Sequence, residues 1–202
     1  MPTATFFNLP KEKKNKLIAA IREELARVPF EKVSINKIVQ AAKIPRGSFY
    51  QYFAGKQDML EYILAEYRAV MFSVAKDSLR KTGGDLFSMF ADLFGFALGF
   101  VAEPQVNAFC RNIFSDARSN MCLFDRRSLE KLLSILKYEI FPSVDLKALK
   151  LRGEAEIGLV FELLAATTRD SIAEAFLDAG QVENARTRFF AKLDMLKNLL
   201  AR

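Results

Sequence analysis

The stretch VSINKIVQAAKIPRGSFYQYFAGK, residues 33–56, leaves a folding chain few options. Ile35, Ile38, Val39 and Ala42 recur at helical spacing, and the Ser34 hydroxyl stands where it can accept a hydrogen bond from the first free amides. The pattern breaks at Lys43 and Ile44, because Pro45 disfavours the α conformation in the residue before it and suits the first turn of a new helix. That second helix turns Phe49 and Phe53 inward, four residues apart, and leaves Arg46, Ser48, Tyr50, Gln51 and Tyr52 on or beside the other side. Two short helices joined by a tight turn form a helix-turn-helix, whose second helix can enter a DNA major groove.

Helical periodicity continues on both sides, and six Pro and nine Gly in 202 residues are few for a β-rich chain. An all-α fold of about nine helices is expected. A first helix is predicted from Asn8, its cap, and Pro10, in its first turn, to just before Pro29, with Leu17, Ile18, Ile21, Leu25 and Val28 as its stripe. A long helix is predicted from residue 57 to about 81, ended by Thr82-Gly83-Gly84. Residues 85–104 then place Phe87, Phe90, Phe94, Phe96 and Phe100 all round one segment. This run is short for a membrane span and contains Asp92, so a helix buried on most sides fits it better. One reading makes the region a pocket for an apolar ligand, lined by Phe90, Phe94, Phe109, Phe114 and Phe124. Asn107, Arg111 and Asn112 would hold the ligand's polar end. The other reading is ordinary core packing.

Residues 126–141 predict a further helix closed by Pro142. Residues 154–177 carry two apolar stripes, Ile157, Phe161, Leu164, Ile172 and Ala175 on one face and Leu159, Leu163, Ala166, Ala173 and Leu177 on another. A helix with two apolar faces needs two partners. Residues 182–200 add Val182, Phe189, Leu193, Leu196 and Leu200. A four-helix interface between two copies satisfies both faces, and Ile157, Phe161, Leu164, Phe189, Leu193, Leu196 and Leu200 are the expected contacts. The alternative is a monomer whose terminal helices only cap the core.

Charge separates the two ends of the chain. Residues 1–60 hold eleven Lys and Arg against five Asp and Glu, and residues 61–202 hold nineteen of each, so the whole net charge of +6 lies in the first segment. A basic head on a neutral body suits a polyanion, nucleic acid ahead of a membrane surface. With no histidine and only Cys110 and Cys122, histidine acid–base chemistry, Ser-His-Asp triads and most zinc sites are excluded. No metal or other cofactor is expected. Asp92, Glu103 and Asp116 have no spacing that demands a carboxylate site, so no enzyme is expected either. The N-terminus has its basic residues after its apolar ones, unlike a secretory signal, so reduced core thiols and a cytoplasmic location are expected.

The ordered pattern V-S-I-x-x-I-V-x-A-A-x-I-P-R-G-S-F-Y-x-Y-F-x-x-K-x-x-M-L, residues 33–60, resembles the DNA-binding signature of the TetR family of transcriptional regulators. Two positions depart from it. Lys43 stands where the turn often has Gly, which asks a non-Gly residue for a positive φ. Pro45 replaces the usual Ser or Thr, so a hydroxyl-to-phosphate contact does not carry over to that position. The resemblance implies a DNA-binding domain at residues 1–56 and a ligand-binding and dimerisation domain at 57–202. It also implies a homodimer on a palindromic double-stranded operator, released by a small hydrophobic effector, with no membrane involved. Ser34, Ser48, Tyr50 and Lys56 are the expected phosphate contacts. Arg46 would read guanine and Gln51 adenine; Gly47 allows close approach after Pro45; Tyr52 would touch a thymine methyl or the sugar–phosphate edge and Asn36 a flanking base. The other reading makes Tyr50 and Tyr52 a cover of the small domain's core and Arg46 and Lys56 a solvated rim. A helical carrier of apolar molecules with a membrane-attaching basic head is the alternative.

Overall fold

The computed structural model describes residues 2–115, 136–151 and 155–201. Among these the regular structure is helical, apart from an isolated bridge between Leu149 and Ala201. The chain divides into two compact units: Met1–Ala69 with Pro104–Cys122, and Val70–Glu103 with Leu123–Arg202. The expected division at residue 56 therefore does not coincide with the compact units.

The first unit begins with α1 (Ala4–Phe7) and α2 (Lys11–Arg27). Asn8, expected to start a helix, instead ends α1, and Pro10 precedes the first residue of α2 with an extended ψ of 137°. After a 3-10 turn at Phe30–Lys32 come α3 (Ile35–Ala42), α4 (Arg46–Tyr52) and the long α5 (Lys56–Thr82), which runs from one unit into the other. Leu17, Ile21, Leu25, Ile38, Phe49, Phe53, Met59 and Leu60 are all buried, and α3 packs on both α2 and α4. Phe6 joins them with no exposed surface, 4.9 Å between ring centroids from both Phe53 and Tyr62.

The last helix of this unit is α7 (Pro104–Ser115), which packs on α2. Phe109 stacks on Tyr67 with centroids 5.3 Å apart, and the Asn112 amide donates to the carbonyls of Leu25 and Ala26, both at 2.9 Å. Those carbonyls lie in the last turn of α2, where no intrahelical donor is left for them. Arg22 of α2 is held to α5 by Glu66 at 3.0 Å, and the Tyr62 hydroxyl donates to the same carboxylate at 2.9 Å. Burial, with Glu66 beside it, pushes the Tyr62 phenol up to about 12.

In the second unit, Gly83 and Gly84 end α5 at φ of 67° and 93°. At Gly84 a Cβ would come 2.6 Å from the Asp145 backbone nitrogen, so this tight junction has no room for a side chain. Asp85 caps α6 (Leu86–Gly99), accepting the Phe87 amide at 2.9 Å. Short turns at Leu136–Ile140, Phe141–Ser143 and Leu146–Ala148 lead towards α8 (Ala155–Leu177) and α9 (Val182–Leu200). Phe90 of α6 lies 5.0 Å from Phe161 of α8, and Phe94 stacks at 3.9 Å on Phe189 of α9. Among the described residues no single helix is long and apolar enough to cross a membrane. The helix expected over residues 126–141 lies mostly outside the described residues.

The two stripes of α8 have different fates. Ile157, Phe161 and Leu164, expected at a subunit interface, are at most 8% exposed and face the protomer's own core with Phe189 and Leu193. Leu196 and Leu200 are partly buried against that core. Ile157, Phe161, Leu164, Phe189 and Leu193 are therefore core residues, whereas Leu196 and Leu200 keep part of their surface outside. On the other stripe Leu159 is 65% and Leu163 48% exposed, and on α9 Phe190, Met195 and Leu199 are exposed.

Candidate nucleic-acid interface

Local chemistry fixes the helix-turn-helix. The Ser34 hydroxyl accepts the Lys37 amide at 3.4 Å, while the Ser34 amide donates to the buried Glu24 carboxylate at 2.9 Å. Lys43 closes α3 in the left-handed region, φ 54° and ψ 46°, as its place in the turn demands. This costs about 1 kcal/mol in a non-Gly residue. Pro45 then sets the entry to α4 with an extended backbone and no side-chain cap.

Glu24 anchors this corner. Arg27 donates to its two oxygens at 2.7 and 2.8 Å, and this ion pair, helped by the Ser34 amide, holds the Glu24 carboxyl below the usual glutamate range. A carboxyl depressed in the folded state stabilises fully above its unfolded value and loses that contribution as pH falls through the folded value. Between pH 7 and pH 3 the thermal midpoint of Glu24→Gln is therefore expected to fall less than that of the wild type. Parallel curves over that range would contradict this role.

On α4, Arg46, Gly47, Tyr50 and Gln51 are exposed, and neither Arg46 nor Gln51 has a side-chain hydrogen bond or ion pair among the described residues. Ser48 is half-buried on the same short helix, and Asn36 is exposed at the start of α3. No atom lies within 4 Å of a Cβ built on Gly47, so packing does not demand glycine there. Glycine inside a helix costs about 1 kcal/mol relative to alanine, which suits a position where another molecule's backbone must come close.

Two expected contacts lie elsewhere. Tyr52 is 9% exposed and packs under the N-terminal arm, 6.4 Å from Phe6 between centroids. Its burial removes the ring from a groove-reading position. The Lys56 ammonium donates to the carbonyls of Glu31 and Val33 at 3.1 and 3.2 Å and sits over the Phe30 ring, so it ties α5 to the turn before α3. The arm itself was not anticipated from sequence. Thr3 donates its amide to the Tyr52 carbonyl at 3.0 Å and its hydroxyl to the Gln51 carbonyl at 2.5 Å, satisfying the open end of α4.

The residues expected around an apolar ligand are divided between the two compact units. Phe90 and Phe94 are core residues of the second unit, whereas Asn107, Phe109, Arg111, Asn112 and Phe114 belong to α7 of the first. Phe109 and Asn112 have the α5 and α2 contacts described above, and Arg111 is exposed. Phe124 lies outside the described residues. Cys110 is a free thiol, and burial pushes it up to about 12, so it is not a thiolate at neutral pH. Cys122 also lies outside the described residues.

Solved structures share this fold. No curated protein matches the chain. A TetR-family regulator from Chloroflexus aurantiacus J-10-FL is 25% identical with a TM-score of 0.50, over 100% of this chain and 99% of its own. The fatty acid degradation regulator FadR from Bacillus halodurans, at 14% identity and a TM-score of 0.60 over 92% and 96% of the two chains, shares the fold. So does a TetR-family regulator from Shewanella sp. PV-4, at 16% identity and 0.56 over 94% and 98%. Residues 17–63 match the family model of bacterial regulatory proteins of the tetR family, and they contain the exposed α4 face. Residues 85–198 match that of the tetracyclin repressor-like C-terminal domain, which alone takes in more than half of the sequence, and the chain thus belongs to the TetR family of DNA-binding transcriptional regulators.

Proposed function

We propose that this regulator is a homodimeric repressor that holds a palindromic operator and releases it when a small hydrophobic effector binds. The observation that carries the DNA reading is the outer face of α4, where Arg46 and Gln51 stand exposed, their side chains unpaired among the described residues, around a glycine that packing does not require. Arg46 has the fork for guanine O6 and N7, and Gln51 the amide for adenine N6 and N7. Ser34, Asn36, Ser48 and Tyr50 surround them as phosphate and flanking contacts. The functional division is residues 1–56 for DNA and 57–202 for effector binding and dimerisation.

Dimerisation would use the outer stripe, Leu159 and Leu163 of α8 with Phe190 and Leu199 of α9, because these large apolar side chains remain uncovered in the protomer. On the effector side, the second unit is rich in phenylalanine, and its buried Ser171 hydroxyl has no hydrogen-bond partner among the described residues. Such a group is one that the polar atom of a ligand can satisfy. Two recognition helices must lie roughly 34–36 Å apart, one turn of DNA, to enter successive major grooves. An effector that prefers a state with another spacing would release the operator, by no more than its differential affinity for the two states.

Replacing Arg46 or Gln51 by Ala tests the reading. Each change is expected to cost about 1–3 kcal/mol and to flatten the preference at one base pair per half-site. Affinity for single-base variants of a selected duplex, measured by anisotropy in excess non-specific DNA, reports it. Unchanged discrimination at every position in both variants would overturn the assignment.

A further inference from the structure

The sequence KEKKNK at residues 11–16 opens α2 with four lysines and one glutamate. The positive end of a helix dipole disfavours cations there, so the cluster does not serve the helix that carries it. The one nearby carboxylate, Glu12, pairs with Lys16 at 2.7 Å, and neither Lys11 nor Lys13 has an ion-pair partner among the described residues.

The fold brings this cluster to the end of the recognition helix. Thr3 is tied to the Gln51 and Tyr52 carbonyls at the end of α4, and Phe6 packs against Tyr52 and Phe53. The Lys14 ammonium sits 4.9 Å from the Phe6 ring centroid and 5.2 Å from that of Phe7. Lys14 is thus linked to the end of α4 through the Phe6 ring. Lys13 and Lys14 stand four and three residues before the buried Leu17, on the inward side of α2 but beyond the end of the core. Lys14 lies over the rings of the arm, and Lys13, its neighbour in the same turn, is exposed.

The geometry points to a second DNA contact: Lys13 and Lys14, presented beside α4 by the arm that Thr3 and Phe6 anchor, neutralise backbone phosphates outside the base pairs that α4 reads. This contact carries affinity and no sequence information. It rests on the DNA-binding reading given above.

The test is the dependence of log K on log salt, from about 50 to 200 mM, for the full-length protein on a selected duplex and on a scrambled one. Lys13→Gln/Lys14→Gln is expected to reduce the slope by about two per protomer on both duplexes, leaving their affinity ratio unchanged. Lys13→Arg/Lys14→Arg keeps both charges and should restore the wild-type slope, which a packing role of the ammonium groups would not require. Lys13→Gln alone, at an exposed position, should remove about one and guards against a folding defect in the double variant. Trimming the duplex outside each half-site should remove the same increment from the wild type and nothing further from the double variant. A wild-type slope in both glutamine variants overturns the second contact while leaving sequence-selective binding intact. Equal wild-type affinity for the two duplexes overturns the DNA-binding reading itself, and this inference with it.

Discussion

Leu159→Glu/Leu163→Glu is expected to be a monomer at micromolar concentration and to bind a two-half-site operator at least about 100-fold more weakly than the wild type. Both side chains are large, apolar and about half or more exposed in the protomer, at 65% and 48%, so the carboxylates add no strain to the core. Between two copies the same carboxylates would be desolvated without partners, which an interface does not tolerate. Operator binding falls because the second recognition helix no longer benefits from the effective concentration that the first provides. Sedimentation velocity and operator titration of the same preparation report both effects. A dimeric double variant would show that α8 and α9 meet no partner through this stripe.

The second large effect concerns the N-terminal arm. Phe6→Ala is expected to destabilise the first unit by about 3–5 kcal/mol, the usual cost of removing a fully buried aromatic side chain. Phe6 is in contact with Phe53 and Tyr62, and its loss leaves a cavity under α4 as well as a loose arm. Phe7→Ala is the control, since Phe7 is 49% exposed and should change stability by less than about 1 kcal/mol. Urea unfolding followed by tyrosine fluorescence, with all the tyrosines but Tyr138 in the first unit, separates the two variants. Equal midpoints for Phe6→Ala and Phe7→Ala would show that the arm is not packed in solution.

The helix-turn-helix was legible because its determinants are local. The Ser34 cap, the positive φ at Lys43 and the inward pair Phe49 and Phe53 each depend on neighbours within a few residues, and each stands as the sequence implied; Pro45 separates the two helices as expected but stands just before α4, with an extended backbone, rather than in its first turn. The arm was not legible, because Phe6 is buried by residues some fifty positions away and four residues make too short a helix to show a period. Lys56 and Tyr52 match a DNA-binding pattern by type and spacing, yet the Glu31 and Val33 carbonyls and the Phe6 ring, none of them next in sequence, occupy them.

The same limit explains the two stripes of α8. Both are apolar at helical spacing, and long-range packing, such as that of Phe90 and Phe141 on Phe161, decides which one faces inward. Likewise α7 follows the phenylalanine-rich α6 in sequence but belongs to the compact unit of the DNA-binding head, where Asn112 completes the last turn of α2. A side-chain amide that meets two helix-terminal carbonyls carries no sequence signal, since an asparagine is equally suited to a ligand.

Selection of bound sequences from a random duplex pool by the purified full-length protein tests the central claim most directly. A homodimer that reads DNA through α4 should recover an inverted repeat, with half-site centres one helical turn or a multiple of it apart. Recovery of no enriched sequence, or of a single motif without two-fold symmetry, would contradict it.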